Sequence, residues 1–265
     1  MRNLLLPLSF LLCLVPAAAA QAELTGDEIV ANVNARDDGE HVTRRFVVEL
    51  TDRNGRTRTE ETIAQRRYFA DEKRTIIFYT DPNSVRGTGF LTFDYADPKV
   101  DDDQWLYLPA LRKVRRISAS DRGDYFLGTD FTYEEIKKEQ KIEAEDYQLS
   151  AQGTETIDGR ELLIVEGLPA SEAVARELGI SRVVWRIDPD IWMSRVTDYY
   201  DQNGNHARTI TLEGVETIDG FLTTTKLYVV NHKTGHSTRI TFNDTDYKID
   251  VPENIFTQAR LRRGL

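Results

Sequence analysis

Cysteine is almost missing from this sequence: Cys13, inside an N-terminal apolar run, is the only one. A chain that loses this segment has no disulfide and no thiol chemistry, so its core alone must supply its stability. Histidine is scarce as well. His41, His206, His232 and His236 form no helical His-x-x-x-His face, and His232 and His236 flank a Lys-Thr-Gly turn. Such spacing gives no metal-ligand pattern, so no metal is expected. Asp101-Asp102-Asp103 lacks the glycine and distal glutamate of a calcium loop and reads as a solvated turn. No Gly-x-Ser-x-Gly elbow occurs, and Gly87-Thr88-Gly89 precedes a strand, not a helix, so no phosphate loop or cofactor site is expected. Positive charge is short overall. A net charge of −10 leaves no broad basic face for nucleic acid.

Long apolar runs are also missing. The longest, Leu4 to Val15, follows Arg2 and is followed by Pro16 and four alanines. It is too short for a bilayer span, and its layout is that of a secretory signal peptide. Residues 1–22 are therefore expected to be cleaved. Phe10-Leu11-Leu12 before Cys13 lacks the small residues of a lipoprotein cleavage site. Residues 23–265 carry no Pro/Ser/Gly-rich linker and are expected to form one secreted, monomeric domain with no membrane span.

What the sequence does contain is strand signal. Thr25 and Glu28 can form a capping box for a short helix with an Ile29, Val30, Val33 stripe. From Val42 onward, period-2 runs alternate with Gly-bearing turns such as Asp52 to Gly55 and Asp201 to Gly204. Glu-Thr-Ile-Asp-Gly occurs at 155–159 and 216–220, which reads as two hairpin connections. Ser171 and Gly179 bracket a second helix, Tyr133 to Lys141 reads as a third, and Val251 to Phe256 as a tail that packs down. Leu111, Val114 and Ile117 recur at helical or irregular spacing. The fold expected is mainly antiparallel β with a few short helices. A sandwich or a curved, partly closed barrel both fit, and two-sided apolar strands favour a curved sheet with a helix over its inner face.

The centre is Arg86 to Ile136. Leu91, Phe93 and Tyr95 share one strand face, opposite Phe90, Thr92 and Asp94, and Trp105 to Leu108 is apolar on both faces. A half-buried sheet needs one apolar face only. The second requires a helix, a partner or a greasy ligand. Gly123 to Thr132 reads as a loop carrying exposed aromatics.

Three stretches, Gly89 to Tyr95, Gln104 to Ile117 and Phe126 to Glu135, resemble the bacterial outer-membrane lipoprotein-sorting (LolA-like) family. The match is to its larger branch, associated with efflux-type exporters. The resemblance implies a half-closed, strongly curved antiparallel β-barrel with a helical lid over the concave face. It also implies periplasmic transport of lipid or lipoprotein acyl chains between an inner-membrane exporter and an outer-membrane acceptor. An arginine at the barrel mouth is implied too, for which Arg45, Arg67 and Arg86 are candidates.

Burying a CH₂ contributes about 0.8 kcal/mol, so a long acyl chain crosses water only inside a cavity. The candidate acyl cavity comprises Ile77, Tyr79, Leu91, Phe93, Tyr95, Trp105, Tyr107, Val183 and Trp185. The bland alternative for each is core packing. Arg112, Lys113, Arg115 and Arg116, with Tyr125, Phe126 and Phe131, are candidates for docking to a partner or a headgroup; a solvated loop is the alternative for the basic four. Two other readings are an accessory binding partner of an RND-type exporter and a carbohydrate hydrolase.

Overall fold

Local signals start and stop the helices. In the computed structural model, which describes residues 24–264, Thr25 Oγ1 accepts the Glu28 N–H while Glu28 returns a bond to the Thr25 N–H. That box opens α1 (Gly26–Asn34). Thr132 and Glu135 form a second box at α2 (Tyr133–Lys138). Ser171 caps α3 (Glu172–Leu178), and Gly179 ends it with a φ of 69°. The reading of residues 1–22 as a signal peptide, Cys13 included, lies outside the described residues.

Thirteen strands carry the rest of the pattern. The first six are β1 (His41–Thr51), β2 (Thr57–Tyr68), β3 (Glu72–Asp81), β4 (Gly89–Tyr95), β5 (Asp103–Leu108) and β6 (Lys113–Ile117). After α2 come β7 (Tyr147–Ile157), β8 (Arg160–Pro169) and, beyond α3, β9 (Ile180–Asp188). Then follow β10 (Met193–Asp201), β11 (His206–Ile218), β12 (Phe221–Asn231), β13 (His236–Asp246) and a last helix, α4 (Gln258–Arg263). Residues Leu111, Val114 and Ile117 are not helical: a short 3-10 turn at Pro109–Leu111 leads directly into β6.

Every strand joins one antiparallel sheet in the order β6-β5-β4-β3-β2-β1-β13-β12-β11-β10-β9-β8-β7. Two meanders meet at its centre, where β1 pairs with β13 through Val48 opposite Ile240. Both Glu-Thr-Ile-Asp-Gly copies are tight hairpins, joining β7 to β8 and β11 to β12. Their Asp158-Gly159 and Asp219-Gly220 pairs all have positive φ, as the favoured two-residue turn demands.

The sheet curves into a half-closed barrel that does not zip shut. Its edges, β6 and β7, are bridged by loops: Gly123 N–H donates to the Glu177 carbonyl at 3.0 Å, between the turn after β6 and α3. A Cβ on Gly123 would sit 2.3 Å from that oxygen, so the close approach requires glycine.

The second apolar face of the central strands is covered by the chain itself. Val251, Phe256 and Leu261, all at or below 1% exposure, pack on Ile76, Phe78 and Leu91, with Phe69, Phe93, Trp105 and Tyr107 around them. The inner face carries Phe46, Val48, Leu50, Ile77, Tyr79, Phe90 and Leu106. Alternation puts neighbours in β3, β4 and β5 into different cores.

Candidate functional site

A segment from Arg122 to Asp146, containing α2, crosses the concave face and forms a lid. One half of that face is filled by the lid's aromatics. The Phe126 ring packs against Phe90 at 5.1 Å and Tyr133 at 5.3 Å, and Tyr79 lies beneath at 6.5 Å. Over the other half a hollow of about 170 Å³ remains. Ile77, Trp185, Met193, Ile210, Leu227 and Phe242 are among its apolar walls. An engineered apolar cavity of about 150 Å³ holds benzene. The hollow as closed therefore accepts a short apolar group, and a long acyl chain needs the aromatic plug to move.

Besides this aromatic packing, a set of ion pairs fastens the lid. Arg208 of β11 forks onto Glu135 at 2.8 and 2.9 Å and donates to the Asp130 carbonyl at 2.7 Å. Asp130 accepts from Thr238 Oγ1 at 2.8 Å, and His236 Nδ1 lies 2.5 Å away. At the opposite end Arg44 holds Glu139 at 2.8 Å, while Lys73 donates to the Lys137 carbonyl at 2.8 Å and pairs with Asp94 at 2.9 Å. Lys138 reaches the same Asp94 at 2.7 Å, and Lys137 pairs with Asp102. Arg122 ties the lid's start to Asp146 and Glu177. Helix α2 stops at Lys138 instead of reaching Lys141, because Glu139 takes a φ of 60° and turns towards Arg44.

Burial alone would raise the Glu139 pKa, but Arg44, Arg66 and Lys73 outweigh it and hold the group at about 2, against an ordinary 4.5. The same competition, led by Lys73 and Lys138, keeps Asp94 well below the carboxylate range. A lowered folded-state pKa stabilises above the unfolded value and is lost as pH falls through the folded one. Lid protection is therefore expected to be complete above the ordinary glutamate value and to erode down to about pH 2. Amide exchange of residues 133–139 measures it, and a Glu139→Gln variant should lose much of the acid slope. An identical slope in that variant would remove Glu139 from the account.

The sequence-derived cavity list is corrected by which face each strand residue occupies. Ile77 and Trp185 line the hollow. Tyr79 faces inward but is buried under Phe126. Leu91, Phe93, Trp105 and Tyr107 lie on the opposite face with the C-terminal tail, Phe93 meeting Trp105 edge-on at 5.1 Å. Tyr95 alternates to that side also, its hydroxyl donating to Asp103 at 3.2 Å. Val183 is fully buried in the cluster that holds the α1 stripe.

The docking list changes in the same way. Phe126 and Phe131 are not exposed loop aromatics but the buried plug, whereas Tyr125 is 44% exposed and its hydroxyl accepts from Asn231. Arg112, Lys113, Arg115 and Arg116 are exposed on and beside the free edge strand β6, where charge hinders edge-to-edge pairing. Arg45 and Arg86 are exposed beside Asp244 and Asp81, and Arg67 binds Asp250 and Glu40. None of these three lines the hollow; Arg36, Arg44, Arg66 and Arg208 do. Among the described residues no group of three His, Cys, Asp or Glu is placed to hold a metal, and no helix is long and apolar enough to cross a membrane.

The lidded, half-closed antiparallel barrel is a LolA-like fold. A family model described as an uncharacterized protein matches residues 71–263, and the chain belongs to that family, DUF1329. A DUF1329 family protein from Desulfovibrio piger superimposes with a TM-score of 0.81 at 26% identity, covering 89% of this chain and 97% of that one. A domain from Vibrio parahaemolyticus, described as an outer membrane lipoprotein-sorting protein, gives 0.81 and 26%, covering 90% and 98%. A LolA superfamily protein from Nitrosomonas europaea shares the fold at a TM-score of 0.66 and 17% identity, covering 89% and 98%. No curated protein matches the sequence.

Proposed function

We propose that this protein is a periplasmic carrier that shelters the acyl chains of a lipid or lipoprotein between sheet and lid, without catalysis. The observation that carries the reading is the lidded hollow, an apolar floor under a cover fastened by ion pairs. A cover held mainly by apolar packing would have to lose that contact to open. Here an entering chain replaces Phe126 and Phe131 against the floor, apolar surface for apolar surface. The polar fastenings meanwhile set the register to which the lid returns. The LolA-like fold and the signal-peptide layout of residues 1–22 support the same reading. Loading and release then follow differences in affinity between donor, carrier and acceptor.

Native mass spectrometry of protein recovered from the periplasmic fraction is the test. Acyl-lipid adducts that survive gentle ionisation and disappear after delipidation are expected. Protein that is always empty, and that takes up no added short-chain lipid, would count decisively against a carrier.

A further inference from the structure

The hollow opens into a shallow vestibule, and Arg36, Asp38 and Lys141 line both. Charges at this mouth are unequally satisfied. Asp38 accepts Arg66 Nη1 at 2.7 Å and the Tyr68 hydroxyl at 3.2 Å, Glu139 is held by Arg44, and Glu40 pairs with Arg67 at 3.2 Å. Asp37 is exposed and accepts the Gly39 N–H.

The two remaining cations are treated differently. Lys141 Nζ donates to the Asn34 and Arg36 carbonyls at 2.8 and 2.6 Å, which leaves one N–H without a partner. Arg36 Nε is buried and unbonded, and among the described residues no carboxylate lies within ion-pair reach of its guanidinium. Burial lowers the pKa of both groups, the direction expected of cations that lack a contacting counter-charge. A buried Nε–H with no acceptor is costly unless something fills it, and the half-buried Nη donors are open to a ligand. A planar fork of N–H groups fits a phosphate bidentately, and an ammonium adds a point charge beside it.

We infer that Arg36 and Lys141 bind the phosphate of a phospholipid headgroup at the mouth while its acyl chain occupies the hollow. This rests on the carrier reading and narrows its cargo. The acylated end of a lipoprotein, joined through thioether, ester and amide, offers no charge at that position. A phospholipid does.

The test compares a short-chain phosphatidylglycerol with the matching diacylglycerol, both below their aggregation concentrations, by calorimetry on the full chain. The wild type should prefer the phospholipid at least about tenfold, the effect of one charge-assisted hydrogen bond. Arg36→Gln should abolish that preference and leave diacylglycerol binding unchanged, while Arg36→Lys should retain part of it. Because Arg36 Nε is unbonded among the described residues, the melting temperature of the Arg36→Gln variant serves as a control and should not move. Equal wild-type affinity for the two lipids, or a preference that survives Arg36→Gln, overturns the assignment but leaves the carrier intact. Failure of both lipids to bind overturns the carrier reading itself. Inorganic phosphate that binds as tightly as the lipid overturns the headgroup as its source.

Discussion

Replacing Arg208 with methionine is expected to lower the free energy of unfolding by about 3–5 kcal/mol, the loss found when one partner of a buried ion pair is removed. The guanidinium is almost wholly buried, sits 4.5 Å over the Tyr199 ring, and satisfies both Glu135 oxygens and the Asp130 carbonyl. Its removal leaves a lid carboxylate out of water, with the cap of its own helix and the Tyr199 hydroxyl but no cation beside it. The damage therefore comes mostly from the abandoned charge. Arg208→Met combined with Glu135→Leu removes both charges and should be the more stable of the two variants, even though α2 loses its capping box, worth about 1 kcal/mol. Urea unfolding of the two variants and the wild type measures this. A single variant within about 1 kcal/mol of wild type, a loss typical of exposed pairs, would mean that Arg208 does not hold the lid.

Phe126→Ala tests the other half of the lid. The ring is 1% exposed and packed on Phe90, Tyr79 and Tyr133, so truncation should cost about 3–5 kcal/mol. In an ordinary core that loss would stand. Here the space left lies under the same lid as the hollow, which Phe131 lines, so a short-chain lipid should bind in it and restore stability in proportion to its free concentration. The comparison is urea unfolding with and without lipid: the variant should gain more than the wild type does. Equal gains in the two proteins would show that Phe126 is plain core and that no acyl chain extends beneath the lid.

Much of the fold was legible because its cues are local. Thr25 with Glu28, Ser171 with Val174, Gly179 with Ala175, and the two Asp-Gly pairs each act within four residues, and each forms the cap or turn expected of it. The two-sided apolar strands also announced two covers. The site was less legible, for three physical reasons. Phe126 and Phe131 lie in a loop, which has no period to reveal whether an aromatic points in or out. Nothing local marks the strand charges Arg44, Arg66, Lys73 and Arg208 as inward-facing, since the groups that let them face inward, Asp38 and the lid, are distant in sequence. Thr132 and Glu135 lie three residues apart and box the start of α2, but nothing in that spacing disclosed that Glu135 also receives Arg208 from 73 residues away.

The choice of faces follows the same division. Alternation in β4 settles that Phe90 and Leu91 point apart, because successive residues of a pleated strand must. Which of them meets the lid and which meets Leu261 depends on where α2 and α4 come to rest, and that is decided by contacts between segments far apart in the chain. Sequence alone determined most of the strands, though not the edge strands β6 and β7, together with their turns and the need to cover two apolar faces. Tertiary structure alone decided that the C-terminal tail seals one face and an ion-paired lid spans the other, since burial is a relation between elements and not a property of either one.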